Sequence, residues 1–170
     1  MDKDRRKFLK FILAAGLSLA CESGGILLPR ARAASQKGEE PKMGATTEGV
    51  EISAREYWNK TGIVLTKGKR YSFVTEGEWR DASHPCDADG WVPEWGKTTD
   101  KILEYLKRES GQRLFKLIGA VDKKRPYIVL GAKGSFEAPA SGELFCFAND
   151  VPGFYRNNSG KVTLKIQAES

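Results

Sequence analysis

The chain is predicted to be all-β, an antiparallel β-sandwich with one short inserted helix, on three observations. Its apolar residues recur in short runs, some with the two-residue alternation of a half-buried strand. Gly-containing turns separate these runs at the spacing of a sandwich rather than of alternating strands and helices. A single stretch carries helical periodicity instead. The roughly 120 residues that hold the pattern suffice to bury about two-thirds of the surface that their unfolded chain exposes.

Taken in order, the folded part begins near Val50, with short strands expected over 51–54 and 62–65. Residues 69–75 alternate, placing Tyr71 and Phe73 on one face. Further strands are expected over 114–121, 127–130, 135–138, 143–148 and 161–166, about eight in all. The helix is expected over 99–109, with Thr98 or Thr99 as N-cap, Asp100 in the first turn and Gly111 beyond its end. Ile102, Leu103 and Leu106 form its apolar stripe, suited to packing on a sheet edge.

Before the folded part, the chain reads as a targeting segment. Arg5 and Arg6, followed by Lys7, Phe8, Leu9 and Lys10, form a twin-arginine export signal, and an apolar run over 11–20 follows at once. Ala31 and Ala33 supply the small residues that a signal peptidase reads, so residues 1–33 are expected to be removed. The run is too short for a membrane span, which needs about twenty apolar residues. The product is expected in the periplasm or outside the cell, and the competing reading is a lipoprotein anchored at Cys21. Residues 34–47, rich in Gly, Ser, Lys and Glu without apolar periodicity, read as a flexible lead-in to a domain over 48–170.

Removal of the signal changes what the charge means. The whole chain has 28 basic and 22 acidic residues, a net charge of +6. Without residues 1–33 it keeps 21 basic and 19 acidic ones, or +2. A phosphate-binding surface needs concentrated basic charge, so nucleic acid is not an expected partner. Cys86 and Cys146 remain as an even pair in an oxidising compartment, where a disulfide is the usual state. Such a link would contribute about 4 kcal/mol by restricting the unfolded chain. A buried free thiol at Cys146 is the alternative.

The most informative segment is 149–160: Asn149, Asp150, Val151, Pro152, Gly153, Phe154, Tyr155, Arg156, Asn157, Asn158, Ser159, Gly160. It concentrates hard oxygen donors in a stretch that Pro and Gly bend, which suits calcium, a cation that takes six to eight oxygens. The same residues also make ordinary turns. The spacing decides between these readings, because the segment resembles, without a gap, the calcium loop N-D-V-P-G-x-Y-x-N-N-S-G of the PA-IL family of galactophilic bacterial lectins. Weaker likeness extends to Gly77, Glu78 and Trp79, to Leu117–Val121, and to Ala138 and Pro139.

The resemblance implies a galactose-binding-domain-like jelly roll, a bound calcium as cofactor, and a glycan ending in galactose or a similar sugar as partner. It implies Asp150, Asn157 and Asn158 as side-chain ligands of the metal, with backbone carbonyls from Phe154 and from the region of Asp81. It implies Asp150, Val151 and Asn157 as sugar contacts, with His84 a further one, although His84 lies closer to the Gly77 strand than the family pattern places it. Trp91 and Trp95 are either sugar-stacking platforms or core. Oligomeric state is left open, a homo-oligomer included.

Other chemistries lack the residues they need. Asp87, Asp89 and Gly90 imitate the start of an EF-hand, but no bidentate Glu follows at the required distance. His84 and Cys86 fall short of a zinc set. No nucleophile turn or phosphate loop is present, and no enzyme is expected. The alternative to a lectin is a non-catalytic envelope module whose calcium only stiffens a loop.

Overall fold

The structure, a computed structural model, describes residues 38–94 and 96–170. The expected signal, Cys21 and Trp95 lie outside the described residues. Nine strands form two antiparallel sheets. The first contains β1 (Val50–Ser53), β3 (Arg70–Asp81), β4 (His84–Cys86), β7 (Lys133–Glu137) and β9 (Ser159–Ala168). The second runs in the order β2 (Asn59–Leu65), β8 (Gly142–Ala148), β5 (Leu117–Val121), β6 (Ile128–Val129). The all-β sandwich expected from the sequence is the observed fold.

Alternation along the two longest strands builds the core. Tyr71, Phe73, Thr75 and Trp79 of β3 and Val162, Leu164, Ile166 and Ala168 of β9 are buried, while their intervening neighbours are not. Each fully buried aliphatic side chain contributes about 1.5–3 kcal/mol relative to exposure. β3 pairs with β9 from Tyr71↔Ala168 to Arg80↔Ser159. On its other side it pairs first with β7 and then with β4. Pairing with β9 requires a glycine at Gly160: its φ is +80°, and a Cβ there would lie 2.9 Å from the Glu78 carbonyl oxygen and 2.9 Å from the Trp79 Cα.

Several expectations are revised. β3 continues six residues past Thr75, because Gly77 lets the strand follow β9 and Trp79 re-enters the core. β4 was not expected at all; it is held by three pairings to the end of β3. Residues 38–47, expected to be a flexible lead-in, hydrogen-bond to both sheets through Glu39 N to Gly62 O (2.8 Å) and Thr47 N to Ile166 O (2.8 Å).

The helix, α1 (Lys97–Leu106), starts earlier than expected, after Gly96 and without a side-chain cap. Of its apolar stripe only Leu103 is buried; Ile102 and Leu106 are exposed, as is Tyr105. The stripe therefore does not lie flat on a sheet. Among the described residues no helix is long and apolar enough to cross a membrane.

The disulfide is a correction. Cys86 and Cys146 are both free. Cys146 sits on β8 in the second sheet, fully buried and paired with Gly119 and Asn59, while Cys86 ends an edge strand of the first sheet opposite Trp79. Burial holds both thiols protonated, pushing Cys86 up to about 12 with help from the charges of Asp81 and Asp87, and raising Cys146 as well.

Candidate metal centre and its surroundings

The candidate centre lies where the chain leaves β8 for β9, crossing from one sheet to the other. Asn149 begins the crossing. It is fully buried, and its carboxamide accepts from Glu109 N (2.9 Å) and donates to Glu109 O (2.8 Å) and Arg113 O (3.1 Å). Its backbone exchanges hydrogen bonds with Lys116 and Phe115. This residue ties the segment after α1 to the end of β8. Five hydrogen bonds at Asn149 therefore anchor the chain immediately before Asp150.

Asp150 is 3% exposed. Its Oδ1 accepts from Val151 N (2.6 Å) and its Oδ2 from Asn158 Nδ2 (2.9 Å). Burial pushes its pKa up to about 6, against the opposing effect of these two donors. Asn158 is also buried, and its Nδ2 makes a second bond to Ala54 O (3.2 Å). Two acceptors thus fix which way the carboxamide faces. Its Oδ1 is left buried with no hydrogen-bond partner, an arrangement that normally costs about 1–3 kcal/mol.

Asp81 closes the group from the other sheet. It stands at the end of β3, beside the start of β9, because Arg80 pairs with Ser159. Its Oδ1 accepts a long bond from Asn157 Nδ2 (3.4 Å). Burial first, and then the charge of Asp150, push its pKa up to about 7, with hydrogen bonds from Trp91 and Asn157 acting the other way. Two carboxylates that act on each other, each held above the ordinary range, thus stand with a buried carboxamide oxygen that has no hydrogen-bond partner. These residues fit calcium, which binds hard oxygens of this kind. No group of three or more His, Cys, Asp or Glu forms a metal cluster among the described residues, so a cation here would need the carboxamides of Asn157 and Asn158 as well.

The other predicted residues take their places around this group. Phe154 precedes a 3-10 turn, Tyr155–Asn157, and its carbonyl accepts from Asn157 N (3.1 Å). Val151 is buried, its N–H donating to Asp150 Oδ1 and its carbonyl accepting from Phe154 N. His84 lies opposite Asp81 across the β3–β4 turn and stacks on Trp91, with ring centroids 3.9 Å apart and planes inclined by 22°. Trp91 in turn acts on Asp81, lowering its pKa against the effect of burial. The structure therefore brings Asp81, Asp150, Asn157, Asn158, His84 and Trp91 into one connected neighbourhood.

Residues that sequence reasoning missed are the supports. Trp79 Nε1 donates to Asp87 O (2.9 Å), and Trp91 pairs with Leu114, so both ends of the insertion carrying α1 are anchored next to the centre. Asn149 had a readable signal, as a carboxamide at a strand end that can bond neighbouring backbone. Arg108, buried and bonded to Tyr155, had none.

This arrangement was compared with known proteins. A solved structure described as the EclA N-terminal domain, a PllA-like lectin, is similar to this chain, covering 73% of it and 98% of the solved chain, with a TM-score of 0.56 at 19% sequence identity. The fold is lectin-like. No family model matches the sequence, and no curated protein does either. The fold is thus shared at a level of identity where residue roles do not transfer, and what the centre does rests on its own chemistry.

Proposed function

We propose that the protein is an exported, non-enzymatic lectin of PA-IL type that holds a terminal galactose, or a sugar of related stereochemistry, through a bound calcium. The observation that carries this reading is the unpartnered Asn158 Oδ1 beside the Asp81–Asp150 pair. Asp150 and Asn158 would hold the metal with their side chains, Asn157 by its exposed carboxamide, and Asp81 and Phe154 from the two flanking turns. Calcium bound there supplies coordination positions that two adjacent sugar hydroxyls can occupy in place of water. Trp91 and His84, stacked against each other next to Asp81, offer an apolar ring surface to the C–H face of the sugar. The lectin-like fold supports the same reading, as does the ungapped likeness of residues 149–160 to the family's loop.

The reading is tested on a glycan array probed with residues 34–170 in calcium and again in EDTA. Binding confined to galactose-terminated glycans, present with calcium and absent with EDTA, is expected. Equal binding in EDTA would refute the metal-bridged mechanism. A calcium-stabilised protein that binds no glycan would instead favour the envelope module with a stiffened loop.

A further inference from the structure

Arg108 follows α1, where a basic side chain would ordinarily reach into water. Here it is only 7% exposed. Its guanidinium carbon lies 3.4 Å from the ring centroid of Phe147, 3.9 Å from Tyr57 and 4.2 Å from Trp58. Nη1 donates to Tyr57 O (2.5 Å) and to the Tyr155 hydroxyl (3.0 Å), and Nη2 has no hydrogen-bond partner. Among the described residues no carboxylate forms an ion pair with it.

As a contribution to stability this is a poor arrangement. Burying a cation without a counter-ion is costly, and stacking on aromatic rings returns only part of that cost. An apolar side chain would fill the same aromatic box without that cost. Two contacts of this residue hold the candidate loop, and the second of them is one that only the arginine side chain supplies. Its backbone N–H donates to Asp150 O (3.2 Å), and its guanidinium holds Tyr155, whose hydroxyl donates to Ala148 O (2.6 Å). Asp150 begins the donor set, and Tyr155 stands two residues before Asn157 and three before Asn158, which end it.

We propose that Arg108 is a positioning residue for the 150–158 loop: its guanidinium, seated among Tyr57, Trp58 and Phe147, and its backbone N–H together hold Asp150 and Tyr155 at the separation that the oxygen donors need. The part of this that concerns calcium rests on the proposed function; the part that concerns loop order does not.

Arg108→Met, Arg108→Lys and Tyr155→Phe separate the two. In EDTA, amide exchange is followed for residues 151–158 and for β3 and β9, and calcium is then titrated into each protein. Arg108→Met should exchange loop amides about tenfold faster, the equivalent of one lost hydrogen bond, with strand amides unchanged. Its calcium affinity should fall about tenfold or more, as for loss of an outer-shell support. Arg108→Lys should recover part of both effects. Tyr155→Phe, which leaves the aromatic box filled, should reproduce the loop acceleration even if Arg108→Met does not fold. Unchanged loop exchange in either Arg108→Met or Tyr155→Phe, or equal acceleration of loop and strands, overturns the proposal. A wild-type protein that binds no calcium would contradict the proposed function and leave the exchange result to decide the role of Arg108.

Discussion

Asp150→Asn should act in opposite directions on the metal-free and the calcium-bound protein. A carboxyl moved from its ordinary value of 3.8 up to about 6 by burial is destabilised as an anion by about 3 kcal/mol at pH 8. The amide removes that term and relieves the neighbouring Asp81. It also sets an NH2 donor against Asn158 Nδ2, which now donates to Oδ2, at a cost of about 1–3 kcal/mol. In EDTA at pH 8 the variant should therefore be as stable as wild type or up to about 2 kcal/mol more stable. In calcium the order reverses, because wild type gains about 2.7 kcal/mol when calcium exceeds its dissociation constant a hundredfold and the variant gains little. Urea unfolding at pH 8, with and without calcium, reads both differences. A variant several kcal/mol less stable in EDTA would show that Asp150 is held by favourable interactions in the apo state. One that keeps the full calcium increment would show that the metal binds elsewhere.

Three further outcomes are expected. Because the folded-state pKa values of Asp81 and Asp150 lie above the ordinary carboxylate range, the native state holds extra protons between pH 4 and 7; metal-free stability should fall as pH rises through that window, and calcium affinity should rise with it. Unfolding midpoints in EDTA and calcium titrations at pH 5 and pH 8 check the sign. Asn149→Leu, which strands the backbone partners of a fully buried carboxamide, should lower stability by about 2–4 kcal/mol whether or not calcium is present, as measured by urea unfolding. Mass spectrometry of exported protein, alkylated after unfolding without reductant, should find thiols at both Cys86 and Cys146; a linked peptide would contradict the separation of the two strands.

The strands were legible because alternation and glycine turns are local. Leu164, Ile166 and Ala168 announce an inward face without knowledge of what they meet. β4 was not, since its three residues have no pattern of their own and exist because Trp79, Arg80 and Asp81 offer partners. The resemblance of residues 149–160 named Asp150, Asn157 and Asn158 together with the region of Asp81, and the structure brings these residues into hydrogen-bond contact. Their electrostatics could not be read from it, because the raised carboxyls arise from burial between two sheets and from the meeting of residues far apart in sequence. The cysteines misled for the same reason: compartment and even count say nothing about which sheet each strand joins. The helix stripe was read correctly as apolar, yet only Leu103 found a neighbour, since anchoring at Trp91 and Leu114 and at Arg108, rather than the stripe, fixes the insertion.

The central claim is that the sugar is held through the metal, and linkage between the two ligands tests it most directly. Galactose binding is measured by calorimetry across a series of free calcium concentrations, beginning in EDTA. The account predicts no binding in EDTA, an apparent sugar affinity that rises with calcium until the site is full, and a calcium affinity raised by galactose by the same factor. A sugar affinity that does not change from EDTA to saturating calcium would contradict it.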